Sequence, residues 1–150
     1  MKVRYGFVTN SSSSSFILNF KSKHSVRGEL EEENFTPDMI EYLARMIHDE
    51  GTRLSKTEYI GVVTRELEET IKFDQYMARS DRGLDAKWAD PLEGEFAERF
   101  QRELNRLKEA VTEGSYTVVV DVEDHTDEGA ALEHDILPHA RHTVAYFSHH

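Results

Sequence analysis

The sequence predicts an α+β fold: a mixed or antiparallel sheet of about four strands drawn from both chain ends, with three helices on one face. Three observations lead there. Apolar and polar residues alternate near the N-terminus in KVRYGFV and SFILNF; apolar residues then recur at helical spacing between residues 36 and 113; and strand patterns return in YTVVVDV and HTVAYF. Strands at the two ends with helices between them argue for one sheet closed by sequence-distant segments. A length of 150 residues fits a single domain, which at that size removes roughly 68–70% of its unfolded surface from water. The chain divides into an N-terminal β element with a serine-rich connection (1–21), a three-helix region (36–113) and C-terminal strands with an acidic, histidine-bearing loop (115–150).

In KVRYGFV, Val3, Tyr5 and Phe7 share one side and Lys2 and Arg4 the other; in SFILNF, Phe16, Leu18 and Phe20 share one side and Ile17 and Asn19 the other. Between them lies Thr9–Ser15, with five consecutive serines. A linker needs a folded body on each side, and residues 1–8 are too few to make one. The tract is therefore expected as a hairpin or arch connection, or as the frayed start of a strand. Residues 22–35 read as a polar connection with an acidic run. Thr36 then supplies an N-cap, Pro37 suits the first helical position, and Ile40, Leu43 and Ile47 form a stripe that Gly51 stops. Ser55–Glu58 matches a capping box, followed by Ile60, Val63, Leu67 and Ile71 in a helix to about residue 79. Residues 80–90 form a loop holding the single tryptophan, Trp88. From Asp90–Pro91 a third helix is expected, with Phe96, Phe100, Leu104, Leu107 and Val111 on one stripe and Gly114 as its end. The apolar run in YTVVVDV suggests a strand buried on both faces.

Composition narrows the chemistry. No cysteine is present, which excludes disulfides, thiolate zinc sites, iron–sulfur ligation and cysteine nucleophiles. No apolar run approaches the ~18 residues a membrane span needs, and MKVRYGFVTN lacks the continuous apolar stretch of a signal peptide. A soluble, cytoplasmic protein without membrane partners is expected. The net charge of −11 is unevenly spread. Residues 1–28 hold Lys2, Arg4, Lys21, Lys23 and Arg27 and no acid; the remaining 13 basic and all 29 acidic side chains leave residues 29–150 at −16. Such a body disfavours direct nucleic-acid binding and suits a partner with a basic surface.

Three groups of residues are candidate sites. The first is an anion site at Asn10, Ser11, Ser12, Ser13, Ser14 and Ser15 with Arg4 nearby, since hydroxyls and successive backbone amides can cradle a phosphate or carboxylate. The tract is not a P-loop: it contains no glycine, no lysine follows it directly, and a strand comes next. A polar connection or an edge strand is the plainer account. The second is DVEDHTDEGAALEHDILPHARH, where Asp121, Glu123, His125 and Asp127 are the donor types a divalent metal takes. No HExxH or EF-hand spacing is present, and a solvated acidic loop is the plainer account. The third is Trp88, an anchor for a partner or a cover for the core edge.

VRYGFVTNSSSSSFIL, residues 3–18, resembles the N-terminal signature of a scattered set of small phage and prophage proteins. The matching positions are Arg4, Gly6, Phe7, Val8, Thr9, Asn10, Ser11 to Ser15 and Phe16, about a tenth of the chain. The resemblance implies a phage or mobile-element origin and assigns no activity. Together these features predict a non-enzymatic, acidic interaction protein that binds a host or virion protein, in the host cytoplasm or on the virion, with no cofactor. Two alternatives stand beside it. One is a metal-dependent hydrolase or nuclease on Asp121, Glu123, His125 and Asp127, the one case calling for a divalent metal. The other is a small-anion or nucleotide binder on the serine tract.

Overall fold

Side-chain caps set the starts of two helices where the sequence places them. In a computed structural model, which describes residues 4–5, 13–123, 129, 131–132 and 136–149, the order is β1 (Arg4–Tyr5), β2 (Ser13–Phe20), α1 (Val26–Glu31), α2 (Pro37–Glu50), β3 (Thr52–Leu54), α3 (Lys56–Asp81), α4 (Gly94–Glu109), β4 (Tyr116–Glu123), a 3-10 turn at Leu137–His139 and β5 (Thr143–His149). Thr36 accepts from the Met39 N–H at 3.3 Å. The capping box is complete: Glu58 N–H donates to Ser55 Oγ at 3.1 Å and Ser55 N–H to Glu58 Oε1 at 3.0 Å. Elsewhere the sequence reading shifts. Tyr59, not Ile60, takes the buried position in the first turn of α3, and α4 begins three residues after Pro91, at Gly94. The acidic connection 22–35 contains a helix, α1.

The α+β class holds, and the sheet takes strands from both chain ends in the order β1-β5-β2-β4-β3. Of the two connections expected between the first strands, a hairpin is excluded, because β1 and β2 do not pair. β5 lies between β1 and β2, parallel to the first and antiparallel to the second. The edge-strand account of the serine tract is corrected as well: β2 is central, paired with both β4 and β5 along its length.

The helices do not share one face, which corrects the expected layering. Phe16, Leu18 and Phe20 on β2 with Tyr116, Val118, Val120 and Val122 on β4 pack against α1 and α2 through Val26, Leu30, Leu43 and Ile47. On the opposite face Ile17, Ala145 and Phe147 meet α3 and α4 through Tyr59, Val63, Leu67, Ile71, Leu104 and Leu107. The physical reason lies in β2 itself. Phe16, Ile17 and Leu18 are all apolar and all at most 2% exposed, so helices must cover both faces.

Gly51 closes α2 by close approach. Its φ is −71°, open to any residue, but a Cβ would sit 2.4 Å from the Ile47 carbonyl oxygen and 2.4 Å from Val118 Cγ2. Backbone on one side and core on the other leave no room to yield. Gly51→Ala is expected to destabilise the fold by about 1–3 kcal/mol, read as a lower urea midpoint at unchanged m-value. An unchanged midpoint would show that α2 and β4 separate freely.

Candidate functional site

The register of β2 against β4 brings the first two sequence candidates together. Ser13, Ser14 and Ser15 pair with Glu123, Val122 and Asp121. Ser14 is buried in the sheet, and the Ser15 hydroxyl donates to the Asp121 carboxylate. An anion at this end of the tract would therefore meet carboxylate. Asp121 and Glu123 are both exposed, on the same side of β4. Asn10, Ser11, Ser12, His125 and Asp127 lie outside the described residues, as does the Arg4 side chain. Among the described residues, no three His, Asp or Glu side chains converge as metal ligands.

A titratable cluster that the sequence did not suggest forms where β5 departs from its register. Between Ile17 and Leu18 the pairing skips one residue of β5, Val144, making a bulge that places the His142 carbonyl 2.8 Å from the Asn19 N–H. The His142 ring stacks on Phe20, centroids 4.8 Å apart, and enters a gap between two side chains of the α1 region. Its Nδ1 lies 2.7 Å from Glu33 Oε2 and its Nε2 3.3 Å from Glu29 Oε1. Glu29 also accepts from the Ser25 hydroxyl and from the Lys21 N–H at 3.0 Å, and Glu33 from the Arg141 N–H at 2.7 Å. Burial pushes the Glu29 carboxyl up, but the Ser25, Lys21 and His142 contacts outweigh it and hold the group below the ordinary glutamate range. Ser25 donates to glutamate and makes no contact with imidazole nitrogen, so the trio lacks the nucleophile–base pairing of acyl transfer. Its geometry is that of a clamp fastening α1 to β5.

Trp88 is the sequence candidate that emerges as a built surface. Its ring is 39% exposed, with Leu84 at 55% and Met77 at 41% nearby in sequence. Phe73 and Tyr76, one turn apart on α3, hold the indole at centroid distances of 4.8 and 6.2 Å. The loop around it is tied at each end. At the C-terminus of α3, Gly83 (φ +74°) and Leu84 direct their N–H groups back to the Ser80 and Arg79 carbonyls, both at 3.0 Å. That double bond is a Schellman ending, and it turns Leu84 outward. Lys87 N–H reaches Asp90 Oδ2 at 2.9 Å, closing a turn on either side of the indole. The buried Gln75 amide then grips the far end, donating to the Pro91 carbonyl and accepting from the Glu93 N–H, both at 3.0 Å. Between α3 and the start of α4 lies a cleft of about 350 Å³ with Ala78, Leu84 and Phe96 as its apolar part and Arg79, Arg82 and Glu93 at its edge.

Residues 81–98, which carry this surface, hold six acids against two bases. A rigid aromatic with exposed aliphatic neighbours and an acidic surround can bind a basic partner; it presents no general acid–base pair. No helix among the described residues is long and apolar enough to cross a membrane. Comparison with protein-family models, curated proteins and solved structures returns no match.

Proposed function

We propose that this protein is a non-catalytic binding module whose Trp88 surface docks onto a protein presenting an apolar side chain among basic residues. The observation that carries this reading is the pre-tied loop. Trp88 and Leu84 are exposed yet held by Phe73, Tyr76, Gln75 and the Gly83 turn, so little conformational entropy is lost when a partner arrives. Aromatic anchors of this kind supply most of the affinity at interfaces, and surrounding charge supplies orientation and association rate. The phage-like signature at residues 3–18 supports a host or virion protein as the partner.

The test is affinity capture from host lysate and from purified virions with the wild-type chain and Trp88→Ala side by side. A partner retained by wild type at low salt, weakened as salt rises and reduced roughly 30-fold or more by Trp88→Ala is the expected result. Equal recovery by the two chains would dismiss the Trp88 surface, and recovery of nothing by wild type would dismiss the module.

A further inference from the structure

A second cleft, on the opposite side of the sheet, is out of keeping with the charge of the chain. It lies between the turn before α1, the α1 and α2 helices and the start of β4, and encloses about 350 Å³. Val26, Ile47 and Tyr116 form its floor, each at most 7% exposed, with Ala44 beside them. The rim carries three formal cations, Lys23, Arg27 and Arg45, two histidines, His24 and His48, and only two carboxylates, Glu41 and Asp49. In a chain of net charge −11 this is a local reversal of sign.

The pairing within the rim sharpens the point. Arg27 engages Glu41 at 2.7 Å and His48 engages Asp49 at 2.9 Å, so both carboxylates are already answered. Among the described residues Lys23 and His24 have no side-chain hydrogen bond or ion pair, and Arg45 has only a longer-range attraction to Glu41, one turn back on α2. Three donors with no hydrogen-bond partner of their own, above an apolar floor, are a recognition surface for a molecule with a charged end and an apolar end. The volume sits at the low end of small-ligand sites, too small for a folded partner or a peptide of several residues.

We infer that this cleft binds a small phosphomonoester with an apolar or aromatic body, its phosphate taken by Lys23, His24 and Arg45 and its body laid on Val26, Ala44, Ile47 and Tyr116. Phosphate is favoured over a carboxylate because three donors face the ligand and a dianion with three terminal oxygens can answer all of them. Arg45 supplies the planar two-pronged donor that phosphate geometry suits, and Lys23 a mobile point charge. The site is separate from the serine tract, and it does not depend on the Trp88 surface.

Thermal shift and calorimetry on the full chain test this, with phenyl phosphate as probe and inorganic phosphate, benzoate and benzyl alcohol as comparators. At a hundredfold excess over its Kd, phenyl phosphate is expected to raise the melting temperature by roughly 5–10 °C. Inorganic phosphate should bind more weakly for want of a body, benzoate more weakly for want of a second charge, and benzyl alcohol not at all. Arg45 is exposed on α2, so Arg45→Gln should move the unliganded melting temperature little, while it should weaken phenyl phosphate roughly 10- to 100-fold. Absence of any shift with phenyl phosphate at millimolar concentration would overturn the proposal, as would equal binding by Arg45→Gln. Tighter binding of benzoate than phenyl phosphate would overturn the phosphate assignment.

Discussion

Replacing Tyr59 by alanine is expected to destabilise the protein by about 3–5 kcal/mol and lower its melting temperature by roughly 6–20 °C, the largest loss from any single side chain discussed above. Tyr59 is fully buried at the N-terminal end of α3, where its ring joins the core between the sheet and α4. Its hydroxyl donates to the Leu107 carbonyl at 2.6 Å, in the last turn of α4, where carbonyls lack helical partners. The side chain therefore does two jobs, and two variants separate them. Tyr59→Phe keeps the ring and loses only the hydroxyl, at about 0.5–1.5 kcal/mol, since Leu107 still accepts from the Ala110 N–H at 3.3 Å. Urea unfolding of both variants decides the matter. Equal losses would mean that the hydrogen bond, not the packing, joins α3 to α4.

The second large effect is expected at His142. Removing the ring in His142→Ala leaves Glu29 and Glu33, side chains 10% and 7% exposed, facing the vacated space without the imidazole. Breaking a buried charge pair typically costs about 3–5 kcal/mol, and about 3 is expected here. The lower figure follows because Glu29 keeps Ser25 and the Lys21 N–H, and Glu33 keeps the Arg141 N–H. The pH dependence carries the sharper test. In the native protein Glu29 is held below its ordinary range. Its stabilising contribution is therefore complete above the unfolded glutamate value of about 4.3 and is lost as pH falls through the lower folded value. The variant lacks the His142 contacts that help hold Glu29 low, so the melting-temperature gap between native and variant should narrow as pH falls below about 4.3. A constant gap would mean that His142 acts through its stacking on Phe20 alone.

What was legible in the sequence follows the range of the forces involved. Thr36, Ser55 and Glu58 act within one helical turn, so their roles could be read directly, and the strand patterns of residues 16–20 and 116–122 survive in β2 and β4. The layering was harder. Sequence shows which positions are apolar but not which helix covers them, and the stripe of α3 reads equally well against either face. The clue was the unbroken run Phe16, Ile17, Leu18, which has no polar side to turn toward water. α1 escaped notice because VRGELE is six residues long, contains a glycine and sits in an acidic run that resembles a solvated loop. Its Glu29 is buried with His142, more than a hundred positions away, as one of its partners beside Ser25 and the Lys21 N–H. Trp88 was visible as a candidate from its isolation; the Gln75 and Gly83 ties that fix it were not, since each depends on the α3–α4 hairpin having formed. The cationic cleft was invisible for the same reason: Arg45 is distant in sequence from the adjacent Lys23 and His24, and only the packing of α1 on α2 gathers them.

The arrangement of the sheet also constrains how the chain can be made. β2 has β4 on one side and β5 on the other, and contacts such as Ser15 to Asp121 join positions 106 residues apart. During synthesis Phe16, Ile17 and Leu18 leave the ribosome long before either neighbour exists. Sheet closure must wait for Thr143–His149, so until that segment is made these three side chains lack their final cover. Long-range pairing of this kind folds slowly and lengthens exposure to wrong contacts. The α3–α4 hairpin, whose contacts are local, can form in that interval and offer Ile17 a surface before the sheet is complete.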